Sequence, residues 1–304
     1  FDVILLLLLM RFGFRKIEAI VITLILTILF IFGYLVVSSN PDIVAMLGGY
    51  VPQLQAVSTH APKGVDSPLL MTLGIVGATV MPHNLYLHSS VSQTRKINRE
   101  NKAELKEAVR FMTWDSNIQL TLAFVVNSLL LILGASLFFG HGDSVGTFGQ
   151  MYTALSDSTV AGAIASPVLS TLFAVALLAS GQNSTSTGTL TGEVVMAGFL
   201  RLKIPMWARR MITRGLALAP VIAFTLMYGG DEAKLDTLLI NSQVFLSIAL
   251  PFAMAPLILF TSSKKVMGED FVNPKWMTIL AWLVFIVLTG LNIQLVVQIV
   301  ANWL

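Results

Sequence analysis

At 304 residues, with 55% hydrophobic and 12% charged side chains and a mean hydropathy of +0.80, the chain carries about half the charge of a soluble domain. That is the composition of a membrane protein. The absence of cysteine excludes disulfide frameworks, thiolate metal sites and thiol nucleophiles. The net charge of +3 gives no support for nucleic-acid binding, because in such a chain the placement of the charges matters more than their sum.

The chain opens inside an apolar run, Phe1 to Met10, with no initiator Met or charged segment ahead of it, so it does not read as a signal peptide. Too short to cross a bilayer alone, the run reads as the end of a truncated helix, and the chain as a fragment. Long intervals free of Asp, Glu, Lys and Arg then predict seven spans: Ala19 to Asn40, Ser67 to Thr94, Ser116 to Gly142, Ser158 to Gly192, Gly215 to Gly230, Thr237 to Ser263 and Trp276 to Leu304. If each crosses once, all but Lys63 and Lys234 of the 19 Lys and Arg residues fall on one side. This asymmetry is the positive-inside pattern, placing Arg11 and Leu202 in the cytoplasm and Gly49, Gly146 and Asp231 outside. The outer loops, Pro41 to Asp66 and His141 to Asp157, contain no soluble domain, so residues 1–304 read as a single transmembrane domain.

Several spans keep polar groups where lipid punishes them, which marks a pathway or a helix contact. In the second span, Pro82 has no amide hydrogen and its ring clashes with the carbonyl of Ala78, while Gly74 and Gly77 loosen the same turn. The expectation is an unwound stretch from about Ala78 to Pro82; an ordinary proline kink satisfied by neighbouring helices is the other reading. Met81 stands beside that backbone with a soft sulfur donor, although most of the 13 methionines must be packing residues. His83 and His88, five residues apart, project about 140° apart on a helix and do not form a paired clamp. They suit stations on a proton path, or hydrogen bonds within the bundle.

The fourth span holds the hydroxyl run from Ser180 to Thr191 with a Gly188/Gly192 pair, read either as helix packing or as the wall of a water-lined inner vestibule. The fifth begins at Pro205 and carries Arg209, Arg210 and Arg214. Arg214 lies about 13 Å along the helix, so it either snorkels or finds a carboxylate, from Asp2 or Asp115 or equally from helices missing from this chain. The sixth opens with Asn241, Ser242 and Gln243, and Pro251 and Pro256 are expected to break its later turns. Gln243 has an amide oxygen for a cation, or for a neighbouring helix.

Together, the run Gly77-Ala78-Thr79-Val80-Met81-Pro82-His83-Asn84-Leu85-Tyr86-Leu87-His88-Ser89 resembles the signature of the Nramp family of proton-coupled divalent metal transporters. The likeness continues through Phe12 to Ala19, Ala179 to Thr185, Thr187 to Thr189, Gly198 to Leu200, Thr213-Arg214, and Leu250 to Ala253 with Pro256. It implies an all-α polytopic bundle, a LeuT-like inverted-repeat fold with a broken sixth helix, of which this chain holds the end of helix 4 and helices 5 to 11, the first three to four helices being absent.

It further implies that the Ala78 carbonyl and the Met81 thioether are metal ligands, with Gln243 completing the shell in some conformations. The other two ligands are an Asp and an Asn of an Asp-Pro-Gly-Asn motif in the missing first helix, so the fragment by itself is expected not to transport. His83, His88, Arg210 and Arg214 fall at positions of the proton pathway. Met81 favours Mn²⁺ and Fe²⁺, since relatives that carry magnesium or aluminium lack it. The implied function is import of these ions by proton symport through alternating access, in a multi-pass protein of the cell membrane that needs no cofactor, nucleic acid or obligate protein partner. A membrane-embedded enzyme is disfavoured because no HExxH pair or GxSxG elbow is present. A passive cation channel, or a carrier of another solute on the same fold, stays open.

Overall fold

The computed structural model describes residues 14–60, 66–93, 97–98, 100–139, 147–161, 165–200 and 205–303. The opening run Phe1 to Met10, Arg11, Asp2 and Lys63 lie outside them. The described residues form an all-α polytopic bundle. In chain order the helices are α1 (Phe14–Ser39), α2 (Ile43–Gly48), α3 (Pro68–Val80), α4 (Pro82–Ser92), α5 (Lys102–Leu133), α6 (Phe148–Ala154), α7 (Ser158–Ala161), α8 (Pro167–Val195), α9 (Met206–Tyr228), α10 (Glu232–Thr261), α11 (Lys264–Met267) and α12 (Lys275–Trp303). A short 3-10 turn, Leu54–Val57, precedes α3, and π turns extend α5 and α8.

Six described segments are long and apolar enough to cross a membrane, within α1, across α3 and α4, and within α5, α9, α10 and α12. The fourth predicted span is helical over the 29 residues of α8, but the hydroxyl run in its second half keeps it out of that set. Conversely, α5 begins well before its apolar interval. Its 32 residues extend about 48 Å, more than the hydrocarbon core of about 30 Å, so the turns with Lys102, Glu104, Lys106 and Arg110 reach beyond the apolar layer.

The chain divides into two compact units, residues 1–50 with 89–233, and residues 51–88 with 234–304. The first is built on side-chain stripes. Ile28, Ile31, Phe32, Leu35 and Val36 recur at helical spacing on α1, and they meet Leu169, Phe173, Ala176 and Ala179 of α8 together with Leu133 and Leu137 at the end of α5. Three threonines of the hydroxyl run of α8 are satisfied along their own helix: Thr187 donates to the Asn183 carbonyl at 3.1 Å, Thr189 to Thr185 at 2.8 Å and Thr191 to Thr187 at 2.9 Å. Only one glycine of its pair makes a close approach. A Cβ on Gly192 would stand 3.1 Å from the Thr213 side chain of α9, whereas one on Gly188 would meet nothing among the described residues.

In the second unit, Leu69 and Leu73 of α3 pack with Val244 of α10 and Leu295 of α12. The expectation that Pro251 and Pro256 break α10 is overturned, since the helix runs unbroken from Glu232 to Thr261 through both. At Pro251 the reason is visible. Lacking an N–H, Pro251 deprives the Ser247 carbonyl of its helical donor. Asn292 of α12 supplies a replacement, its Nδ2 donating to that carbonyl at 3.2 Å while also donating to the Leu288 carbonyl at 2.9 Å. The Ser247 hydroxyl answers by donating to Asn292 Oδ1 at 3.2 Å. Both residues are buried, so a neighbouring helix restores the satisfaction that proline removed.

Candidate functional site

Ser67 starts α3 by accepting from the Leu70 amide, and Pro68 at its first turn is pre-set for a helix. The helix continues through Ala78, Thr79 and Val80, and the interruption is confined to Met81. The expected unwound stretch from Ala78 to Pro82 is therefore too long. Three helical residues persist because only the residue directly before the proline is forced out of the helical region by its ring. Met81 takes φ 42° and ψ 104°, a left-handed backbone that costs a non-glycine residue about 1–3 kcal/mol. Pro82 then opens α4. Having no N–H, it gives the Ala78 carbonyl no donor four residues ahead, which is the chemical origin of an acceptor available in mid-span.

One turn before this break α3 crosses α10. A Cβ built on Gly77 would collide with the backbone carbonyl oxygen of Gln243 and come within 2.9 Å of the Ser247 amide nitrogen. Only a glycine permits backbones this close. A Cβ on Gly74, one turn earlier, would meet the Val244 and Ile240 side chains in ordinary contact. The crossing brings Gln243 to the turn that carries Ala78, with Met81 one turn further on. The Gln243 amide nitrogen is committed, since Nε2 donates to Ser242 Oγ at 3.0 Å, and the amide oxygen is the side-chain atom suited to a cation.

Ala78, Met81 and Gln243 are all half-buried. The Met81 sulfur is fixed by Asn84, whose Nδ2 lies 3.5 Å from Sδ. Among the described residues no group of three His, Asp or Glu side chains stands ready for a metal; the donor types that Ala78, Met81 and Gln243 offer are a carbonyl, a thioether and an amide. His83, half-buried, and His88, exposed, share α4. Their spacing on one helix sets them about 140° apart. Arg210 and Arg214 lie on α9, with side chains outside the described residues. Asp115, one suggested partner of Arg214, accepts from Gln119 on its own helix at 3.1 Å. A cavity of about 540 Å³ in the first unit, lined by Ser39, Asp42, Tyr50, Ser128 and Ser136 among others, contains none of these candidates.

Three participants were missed in the sequence. Gly77 was read only as a residue that loosens a helix, although Gly74 and Gly77, three apart on one face, carry the signal of a close helix crossing. Asn84 sits one turn from Met81, a spacing that puts it in reach of the sulfur. Asn292 had no local signal, because its role depends on a proline far away in the chain.

The family model described as natural resistance-associated macrophage protein-like matches residues 1–298. The chain is 58% identical over 297 residues to the divalent metal cation transporter MntH of Levilactobacillus brevis, covering 98% of this chain and 63% of that protein. It is 57% identical to the MntH of Pediococcus pentosaceus, covering 98% of this chain and 65% of that one. Among solved structures, a histidine-to-alanine mutant of the Eremococcus coleocola manganese transporter superposes with a TM-score of 0.85 at 49% identity, covering 99% of this chain and 64% of that chain. The chain thus spans just under two thirds of the length of these relatives, which are named as transporters and not as enzymes. On the family model and these identities, the chain belongs to the Nramp family.

Proposed function

We propose that the protein imports divalent transition metal ions, Mn²⁺ and Fe²⁺, by proton symport through alternating access. The observation that carries this is the one-residue break at Met81, placed where α3 crosses α10 on bare backbone. The relatives named as divalent metal cation and manganese transporters support the substrate class.

In this reading the Ala78 carbonyl, the Met81 sulfur and the Gln243 amide oxygen hold the ion. The sulfur gains more from Mn²⁺ or Fe²⁺ than from Ca²⁺, which prefers an all-oxygen shell. Neutral donors alone leave a divalent charge uncompensated in a low-dielectric site, which calls for a carboxylate. The Asp of the expected Asp-Pro-Gly-Asn motif fills that role, from a helix beyond this chain. Because α3 and α4 are separate rods joined only at Met81, one is free to tilt while the other stays packed, as alternating access requires. His83, His88, Arg210 and Arg214 are the groups of this chain assigned to the proton route.

The test is Mn²⁺ uptake by the intact transporter in liposomes, with internal pH recorded at the same time. Saturable accumulation against the metal gradient, accompanied by acidification of the lumen, is the expected result. Uptake that only dissipates a gradient and leaves pH unchanged would contradict symport and favour a channel.

A further inference from the structure

The start of α3 is gripped by two elements of its own unit. Thr72 Oγ1 donates to the Ala56 carbonyl at 2.7 Å and the Leu69 amide to the Ser58 carbonyl at 3.1 Å, so the outer segment before α3 is tied along its first turns. Val57 of this segment packs on the Leu69, Leu73 and Leu295 cluster.

Gln298, near the end of α12, uses both ends of its amide here. Its Nε2 donates to the Thr59 carbonyl at 3.0 Å, and its Oε1 accepts from the Ser67 hydroxyl at 3.3 Å. Ser67 is buried, and the same oxygen also caps α3. One side chain therefore joins the outer segment to the cap of the half-helix that ends at the break. Its planar amide presents a donor and an acceptor side by side, which is what the Thr59 carbonyl and the Ser67 hydroxyl require.

We propose that Gln298 is a positioning residue that clasps the outer segment at Thr59 to the start of α3, so that the segment, α3 and the outer end of α12 move as one body. The proposal rests on the transport reading given above, because it assigns α3 a motion during the cycle. The lever is short and stiff: the 13 residues of α3 span about 20 Å, so an angular error at Ser67 is delivered to Ala78 and Met81. Gln298→Leu removes both bonds while keeping the bulk. Gln298→Glu keeps an acceptor for Ser67 and loses the donor to Thr59.

The test uses the intact transporter with two readouts, Mn²⁺ uptake kinetics in liposomes and amide hydrogen exchange over residues 66–72. For Gln298→Leu the apparent KM for Mn²⁺ is expected to rise about fivefold, the scale of one net hydrogen bond, with the maximal rate and thermal midpoint retained. Exchange at Leu69 should accelerate by about tenfold as the segment loosens. Gln298→Glu should fall between wild type and Gln298→Leu in both. Unchanged KM and unchanged exchange would overturn the clasp, and so would a parallel fall in rate and thermal midpoint with KM unmoved, which marks a merely structural role. Wild-type protein that takes up no Mn²⁺ would overturn the transport reading instead; the exchange comparison then decides the clasp by itself.

Discussion

The two units solve the problem of packing helices in different ways. In the first, α1 and α8 meet through stripes of large side chains, with Phe32, Leu35 and Leu169 buried between them. In the second, a smaller apolar cluster of Leu69, Leu73, Val244 and Leu295 is joined by a crossing where Gly77 of α3 lies on the Gln243 backbone of α10, and by the Ser247–Asn292 pair between α10 and α12. Apolar stripes hold helices together without fixing the position of any one backbone atom to a few tenths of an ångström. Bare-backbone crossings and buried hydrogen bonds do fix it, and a site made partly of a main-chain carbonyl needs that accuracy.

The sharpest way to break this contrast is Gly77→Ala. The added Cβ meets backbone atoms of α10, which cannot swing away as a side chain would. Core overpacking costs about 1–3 kcal/mol even where side chains can adjust, so the variant should lose Mn²⁺ binding outright, as read by titration of the purified transporter. Binding equal to wild type would show that the crossing does not set the site. Phe32→Ala should do the opposite. Deleting a buried ring costs about 3–5 kcal/mol of stability in soluble cores, so the thermal midpoint should drop while the Mn²⁺ affinity of the remaining folded protein stays the same.

Asn292→Leu lies between the two. It leaves the Ser247 carbonyl without the donor that compensates for Pro251, a loss of about 1–3 kcal/mol. Helix α10 should then bend near Ser247, and Mn²⁺ affinity should fall together with the thermal midpoint. The smallest effect is expected at Asp157, an exposed carboxylate held below the usual carboxylate range by the Thr159 amide, which donates to it at 2.8 Å. A lowered folded-state pKa contributes stability above the unfolded pKa and loses it as pH falls through the folded value. Asp157→Asn should therefore narrow the difference in thermal midpoint between neutral and acidic pH slightly, and leave uptake untouched.

The contrast also explains what the sequence disclosed. Pro82 announced the break because a missing N–H is a local fact, and its carbonyl partner is found by counting back to Ala78. The break is one residue long because only Met81, directly before the proline, is forced out of the helical region, a limit that the expected longer stretch overlooked. Pro251 and Pro256 carried the same local signal as Pro82, yet α10 continues through them. At Pro251 the difference is Asn292, which no window around the proline contains. The glycine pair on α8 shows the converse, since Gly188 and Gly192 match one pattern and only Gly192 meets a neighbour. Six of the span positions were readable because hydropathy acts residue by residue. The crossing at Gly77 was not, because it is a property of two helices.

The most direct test of the account concerns Met81, whose backbone interrupts the span and whose sulfur lies 3.5 Å from the Asn84 amide nitrogen. Uptake of Mn²⁺ by the intact transporter in liposomes should be measured for wild type and Met81→Ala, with Ca²⁺ as competitor. The account predicts that Ca²⁺ leaves the wild type unaffected and competes with Mn²⁺ in the variant, because an all-oxygen shell no longer disfavours it. Equal indifference to Ca²⁺ in both proteins, with uptake unchanged, would contradict the assignment of Met81 as a ligand and of this break as the metal site.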